Sequence, residues 1–200
     1  MRRSTGCRQA QGLTLLEALV VGSLLSVVMG AIVLSFLTSQ RAYTSSEAYL
    51  SVQDEARRAL DAMTKELHAA GGNIATGAGW LQFQRVLGFN LALPCPPSAV
   101  CWGAQDAAGA DQFGWSIRYR LDAPKKQLVR EILDAGAGVQ GQQILANDVT
   151  QLTFAYTPGA VRTIRITIDV RRTSTFLPGG SMGTTPTPAT SLITTVKLRN

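Results

Sequence analysis

Charge is scarce in this 200-residue chain, with Asp, Glu, Lys and Arg at 16% against 46% hydrophobic residues. So apolar a balance calls for a membrane segment or an unusual core. Histidine is scarcer still: His68 stands alone, and since Cys7 sits in the basic leader, the close pair Cys95 and Cys101 that remains is too small to complete a zinc site with it. No nucleophile sits beside a matching base, and no glycine-rich phosphate cradle lies between a strand and a helix pattern. An enzyme, a cofactor, a bound metal and a small-molecule substrate are therefore not expected. No internal repeat is evident. The first apolar run also lacks proline, so it carries no built-in kink.

The formal charge of +6 suggests an anionic partner until its position is considered. Arg2, Arg3 and Arg8 all precede the apolar run, and loss of that leader would halve the surplus. Residues 13–37, LTLLEALVVGSLLSVVMGAIVLSFL, are long enough to cross a hydrocarbon layer of about 30 Å as a helix. Arginines before the span and none within it predict a cytoplasmic N-terminus and a periplasmic remainder. A secretory signal peptide would have a shorter apolar region and a small-residue cleavage site.

Glu17 lies inside this span, where a carboxylate costs a few kcal/mol unless it is neutralised. The string Gly12-Leu13-Thr14-Leu15-Leu16-Glu17, behind a basic leader, resembles the class III signal of type IV pilins. The resemblance implies cleavage after Gly12 by prepilin peptidase, N-methylation of Leu13, and a docking role for Glu17 during subunit assembly. The physical logic is charge compensation: the amine created at Leu13 would offset the buried anion of Glu17 between neighbouring subunits. Leu13 departs from the phenylalanine commonest at that position.

Beyond the span, Tyr49, Val52, Ala56, Leu60, Met63, Leu67 and Ala70 recur every three or four residues, an apolar helical stripe suited to core packing. Asp54 with Arg58 and Asp61 with Lys65 are spaced for ion pairs on the opposite face. Gly71 and Gly72 supply a stop, giving a helix over residues 13–70 of about 87 Å at 1.5 Å per residue. His68 reads as a cap or surface residue near that end.

Residues 73–112 are rich in Gly, Ala and Pro and read as a variable loop, with a short strand at 80–83. Cys95 and Cys101 bracket CPPSAVC; in an oxidising periplasm they form a small-loop disulfide worth about 2 kcal/mol, the alternative being two unpaired thiols. Asp106 and Asp111 are candidate calcium ligands, although their spacing misses the dense oxygen pattern of an EF-hand loop and solvated carboxylates are the default.

Strand signals then become regular. Residues 115–121 and 127–133 flank a turn, and residues 152–156 pair with 161–171 in a second hairpin. In that last segment Ile164, Ile166, Ile168 and Val170 face one way and Arg165, Thr167, Asp169 and Arg171 the other. The basic outer residues suit a solvated face or an anionic polymer, without an aromatic stacking platform for nucleic acid. Residues 173–191 are rich in Ser, Thr, Gly and Pro and read as a flexible or partner-ordered loop before a last strand from 192.

The expected fold class is α+β, a long N-terminal helix packed on an antiparallel head. Its parts are a leader at 1–12, a transmembrane half at 13–37, a periplasmic half at 38–72, and a head with variable loop and disulfide at 73–200. ALDAMTKELHAAGG, IRYRLDAPKKQLVREI, DVTQLTFAYT, VRTIRITIDV and VKLRN are similar to PilW-type minor pilins and type II secretion pseudopilin J. The resemblance implies a pilin fold, prepilin peptidase, other minor pilins or pseudopilins and an inner-membrane assembly platform as partners, and a minor subunit that primes or joins a type IV pilus. A secretion pseudopilin is the alternative within the family, and an adhesin or DNA-binding head the alternative outside it.

Overall fold

The computed structural model describes residues 14–90, 95–159, 161–171, 173–174, 185–186 and 189–198. One helix, α1 (Leu15–Leu67), is followed by strands: β1 (Ala70–Gly77), β2 (Trp80–Phe89), β3 (Val100–Gln105), β4 (Asp111–Phe113), β5 (Ser116–Asp122), β6 (Gln127–Leu133), β7 (Val139–Ala146), β8 (Val149–Thr157), β9 (Thr163–Val170), β10 (Thr173–Ser174), β11 (Thr185–Pro186) and β12 (Thr190–Lys197). The class is α+β. The chain forms two compact units that meet at Thr44 and Ser45.

In the first unit the helix is apolar on every side, from Leu15 at 84% exposed to Phe36 at 60%. It is long and apolar enough to cross a membrane. Three of its hydroxyls bond back to the helix: Ser23 Oγ donates to Val20 O at 2.8 Å, Ser26 Oγ to Ser23 O at 2.7 Å and Thr38 Oγ1 to Leu34 O at 2.9 Å. That arrangement suits a medium offering no water to the hydroxyls.

In the second unit the helix shows the expected stripe. Val52, Ala56, Leu60, Met63 and Leu67 are buried, together with Ala59. They share one core with Leu81, Phe83, Ile117, Tyr119 and Ile132 and with Ile164, Ile166, Ile168, Val170 and Val196. The first of these strand sets belongs to a seven-stranded antiparallel sheet, ordered β4-β3-β2-β5-β6-β7 with β1 also paired to β2. The second belongs to a three-stranded sheet, β12-β9-β8. Neither i,i+4 charge pair on the helix closes among the described residues; the recorded ion pairs link strands or join helix to sheet.

The β5–β6 and β8–β9 hairpins and the last strand follow their sequence signals, with Asp122 opposite Gln127 and Thr157 opposite Thr163. Three readings change. The helix ends at Leu67, not Ala70, and spans about 80 Å at 1.5 Å per residue. Residues 73–112 hold most of β1 and all of β2 and β3, in place of a variable loop with one short strand. A further strand, β7, follows β6. Gly71 and Gly72 lie within β1, not at a helix stop, where β1 pairs with β2 and the Trp102 indole lies close against both glycines. A methyl at Gly71 would come within 2.3 Å of Trp102 Cη2, and one at Gly72 within 2.9 Å of its Cδ2. Of the expected loop at 173–191, β10 and β11 pair with each other and most of the remainder lies outside the described residues.

Candidate functional site

The start of the helix is defined by Thr14. Its Oγ1 accepts the Glu17 amide at 3.3 Å and its carbonyl accepts the amides of Glu17 and Ala18 at 3.0 and 3.1 Å. Thr14 is thus an N-cap with Glu17 three residues on, the T-x-x-E spacing of a capping box. Glu17 is exposed and lies in the first turn, where the positive end of the helix dipole favours a carboxylate. This local partner was legible in the sequence as the T-x-x-E pattern, yet it escaped the reading of Glu17. Gly12 and Leu13 lie outside the described residues.

Cys95 and Cys101 are bonded, with Cα atoms 5.4 Å apart, and both are buried. Asn90 helps close the same connection: its amide donates to Ala99 O at 3.0 Å and its Oδ1 accepts from the Ser98 amide at 3.0 Å.

Asp106 is committed to its own hairpin. One oxygen accepts the Ala108 and Ala110 amides at 2.9 and 2.8 Å, and the other accepts Gln112 Nε2 at 3.0 Å. The Ala110 amide chiefly, with help from Gln112, holds its carboxyl below the ordinary range. Asp134 repeats the geometry with the Gly136 and Gly138 amides, both at 2.8 Å, and Gln140 Nε2 at 2.7 Å. The strings DAAGADQ and DAGAGVQ thus build the same aspartate-capped turn, one per hairpin. Among the described residues no cluster of three potential ligands gathers around either loop or elsewhere. His68 is exposed in the turn after the helix.

On the core side of the large sheet, Glu66 of α1 meets the cross-strand pair Tyr119 and Arg130. The Tyr119 hydroxyl donates to Glu66 Oε2, and Arg130 adds a forked set of bonds. Glu55 makes a second tie, accepting the Asn147 amide and Nδ2 at 3.0 and 2.8 Å.

The opposite face carries a polar network. The buried Glu131 accepts Arg118 Nε and Nη2 at 2.8 and 2.6 Å and Arg120 Nε at 2.6 Å. Burial pushes its carboxyl up, but the bonds and charges of the two arginines outweigh burial and hold it below its ordinary value. Beside them Gln82 Nε2 donates to Ser116 Oγ at 2.9 Å. The alternation I-R-Y-R-L-D at 117–122 was the sequence signal for this split, placing both arginines on one face and Tyr119 on the other. On the small sheet, Arg165 and Arg171 are exposed as expected.

Neither Glu66, Glu55 nor the Arg118, Arg120 and Glu131 cluster was singled out from sequence, because each unites residues distant along the chain or of unremarkable type. No family model, characterised protein or solved structure matches this chain.

Proposed function

We propose that this chain is a minor pilin-like subunit, similar to PilW-type minor pilins, processed after Gly12 by prepilin peptidase and assembled into a type IV pilus. On this reading the first half of α1 holds the protein in the inner membrane with its N-terminus cytoplasmic, while the strands lie in the periplasm. Leu13 is N-methylated, and Glu17 guides the subunit onto its neighbours, other minor pilins on the inner-membrane platform.

The observation that carries the proposal is register. A glycine, an apolar residue and a glutamate fall at the places of a class III signal. The Thr14 cap starts the helix, so Glu17 sits in its first turn, which supports this reading. The exposed apolar surface of the following helix supports membrane insertion first and lateral helix packing afterwards. The carboxylate and amine together then act as a register device, because each is costly in lipid alone and tolerable when paired.

N-terminal mass spectrometry of the membrane-extracted protein tests this reading. A methylated Leu13 terminus is the expected result, and an intact leader on a working protein overturns it. Gly12→Ala should leave a slower-migrating precursor on immunoblots. Glu17→Leu should still be cleaved but be depleted from sheared filaments. A type II secretion pseudopilus would use the same parts; loss of surface filaments in a deletion strain favours the pilus, and enzymes trapped in the periplasm favour secretion.

A further inference from the structure

Assembly through the helix leaves one built feature of the large sheet unused. At the β1–β2 turn a groove of about 230 Å³ is lined by Gly79, Trp80, Gln82, Arg118, Arg120 and Leu121. Strand register sets its walls. Trp80 on β2 lies between Gly77 of β1 and Arg120 of β5. The indole lies against Gly77, where a methyl would come within 2.3 Å of Nε1, and it lines the groove together with both arginines. The turn itself is fixed by the Leu121 amide, which donates to Gly79 O at 2.9 Å.

The charge of the groove follows from an unequal match: two guanidiniums share the single carboxylate of Glu131. Arg118 spends Nε and Nη2 on it and Arg120 spends Nε. Arg118 Nη1 and both terminal nitrogens of Arg120 bond to nothing among the described residues, so one net positive charge and a set of fixed donors remain. Glu131 is 2% exposed and anchors both forks, so the donors are positioned before any ligand arrives. Gln82 donates to Ser116, and its Oε1 accepts no bond among the described residues.

We propose that this groove binds one carboxylated pyranose ring of an acidic polysaccharide, a uronate residue. Its carboxylate lies on the free edges of Arg120 and Arg118, its C–H face against Trp80, and a hydroxyl donates to Gln82 Oε1. Planar forked donors match a carboxylate, and an aromatic wall matches the apolar face of a sugar. The volume is below that of sites for drug-sized ligands and suits a single ring. A nucleic-acid strand would instead need a basic track along several phosphates and successive stacking aromatics, where this groove has one aromatic and one unbalanced charge. The proposal is independent of how the N-terminus is processed.

The test is titration of the full-length protein in detergent micelles with trigalacturonate, with maltotriose as the neutral control, followed by tryptophan fluorescence and by saturation-transfer NMR of the sugar. A saturable fluorescence change with trigalacturonate alone is expected. It should vanish in Trp80→Phe, and by NMR the affinity should fall at least tenfold in Arg120→Gln. If Arg120→Gln loses its β-sheet circular dichroism, Arg120→Lys keeps the charge without the fork and should still bind at least fivefold more weakly. Absence of saturable binding, equal binding of maltotriose, or unchanged affinity in these arginine and tryptophan variants overturns the proposal. A single-stranded oligonucleotide that binds more tightly with the same dependence on Trp80 and Arg120 also overturns it, in favour of nucleic acid.

Discussion

Arg130 grips the carboxylate of Glu66, with Nε 3.0 Å from each oxygen and Nη2 2.9 Å from Oε1, joining β6 to the last turn of the helix across 64 positions of sequence. Tyr119 donates its hydroxyl to the same carboxylate. Because the guanidinium is mostly buried, removing Glu66 would strand both a charge and a phenol. Glu66→Ala should destabilise the fold by about 2 kcal/mol and Tyr119→Phe by about 1 kcal/mol in denaturant titrations. The double variant should fall short of the sum by more than about 0.5 kcal/mol; strict additivity would mean the three groups do not act together.

Two of these polar sites set opposite pH limits. Glu131 has a folded pKa below its ordinary 4.5, so its stabilisation is complete above that value and is lost as pH falls through the folded one. Tyr119 is shifted well above 10.0, first by burial and then by the neighbouring Glu66 charge and bond. Its contribution is complete below 10.0 and is lost as pH rises toward the folded value, because the unfolded phenol releases its proton first. Thermal midpoints should therefore drop at both extremes. Glu131→Gln should flatten the acid limb only and Tyr119→Phe the alkaline limb only.

The pairing of Trp102 with Gly71 and Gly72 predicts a specific intolerance. Gly71→Ala would place a methyl 2.3 Å from the indole, and the resulting overpacking should cost about 1–3 kcal/mol by thermal or chemical unfolding. The same substitution in a Trp102→Leu background should cost much less. An equal penalty in both backgrounds would assign the glycine's role to something other than this contact.

The twin aspartate loops offer a stabilising change. At matching positions the β3–β4 hairpin has Gly109 at φ +84° and the β6–β7 hairpin has Ala137 at φ +65°. The left-handed region suits glycine and strains alanine. Ala137→Gly should raise stability by about 0.5–1 kcal/mol despite the entropy glycine adds to the unfolded chain. A lower melting temperature would show that unfolded-state entropy dominates.

Periodicity was legible wherever large side chains alternate or recur, and it failed where backbone contacts do the work. The α1 stripe and β9 announce themselves because Met63 and Leu67, or Ile164 and Ile166, repeat at the spacing of their element. In β1, AGGNIATG has a single large aliphatic residue, Ile74, so nothing local marks it as a strand. It forms because β2 supplies a partner edge and Trp102 covers its glycines. Gly103 in β3 is similar: a methyl there would fall 2.1 Å from Gln112 O, so the β4 approach depends on its absence. The strand β7, VQGQQILA, is exposed over most of its length and is held by its pairing with β6.

By itself the amino-acid order determined an apolar helix with Glu17 near its start, an amphipathic continuation, a close cysteine pair and the two hairpins. All depend on spacing within a few residues, or on residue types with one common use. Tertiary structure alone decided that Glu66 would meet Tyr119 and Arg130, that Glu131 would hold two arginines on the outer face of the large sheet, and that a glycine-rich stretch would become sheet. Those outcomes depend on which strands become neighbours, and neighbours are selected by burial of the whole core, a sum over distant residues that no local pattern contains.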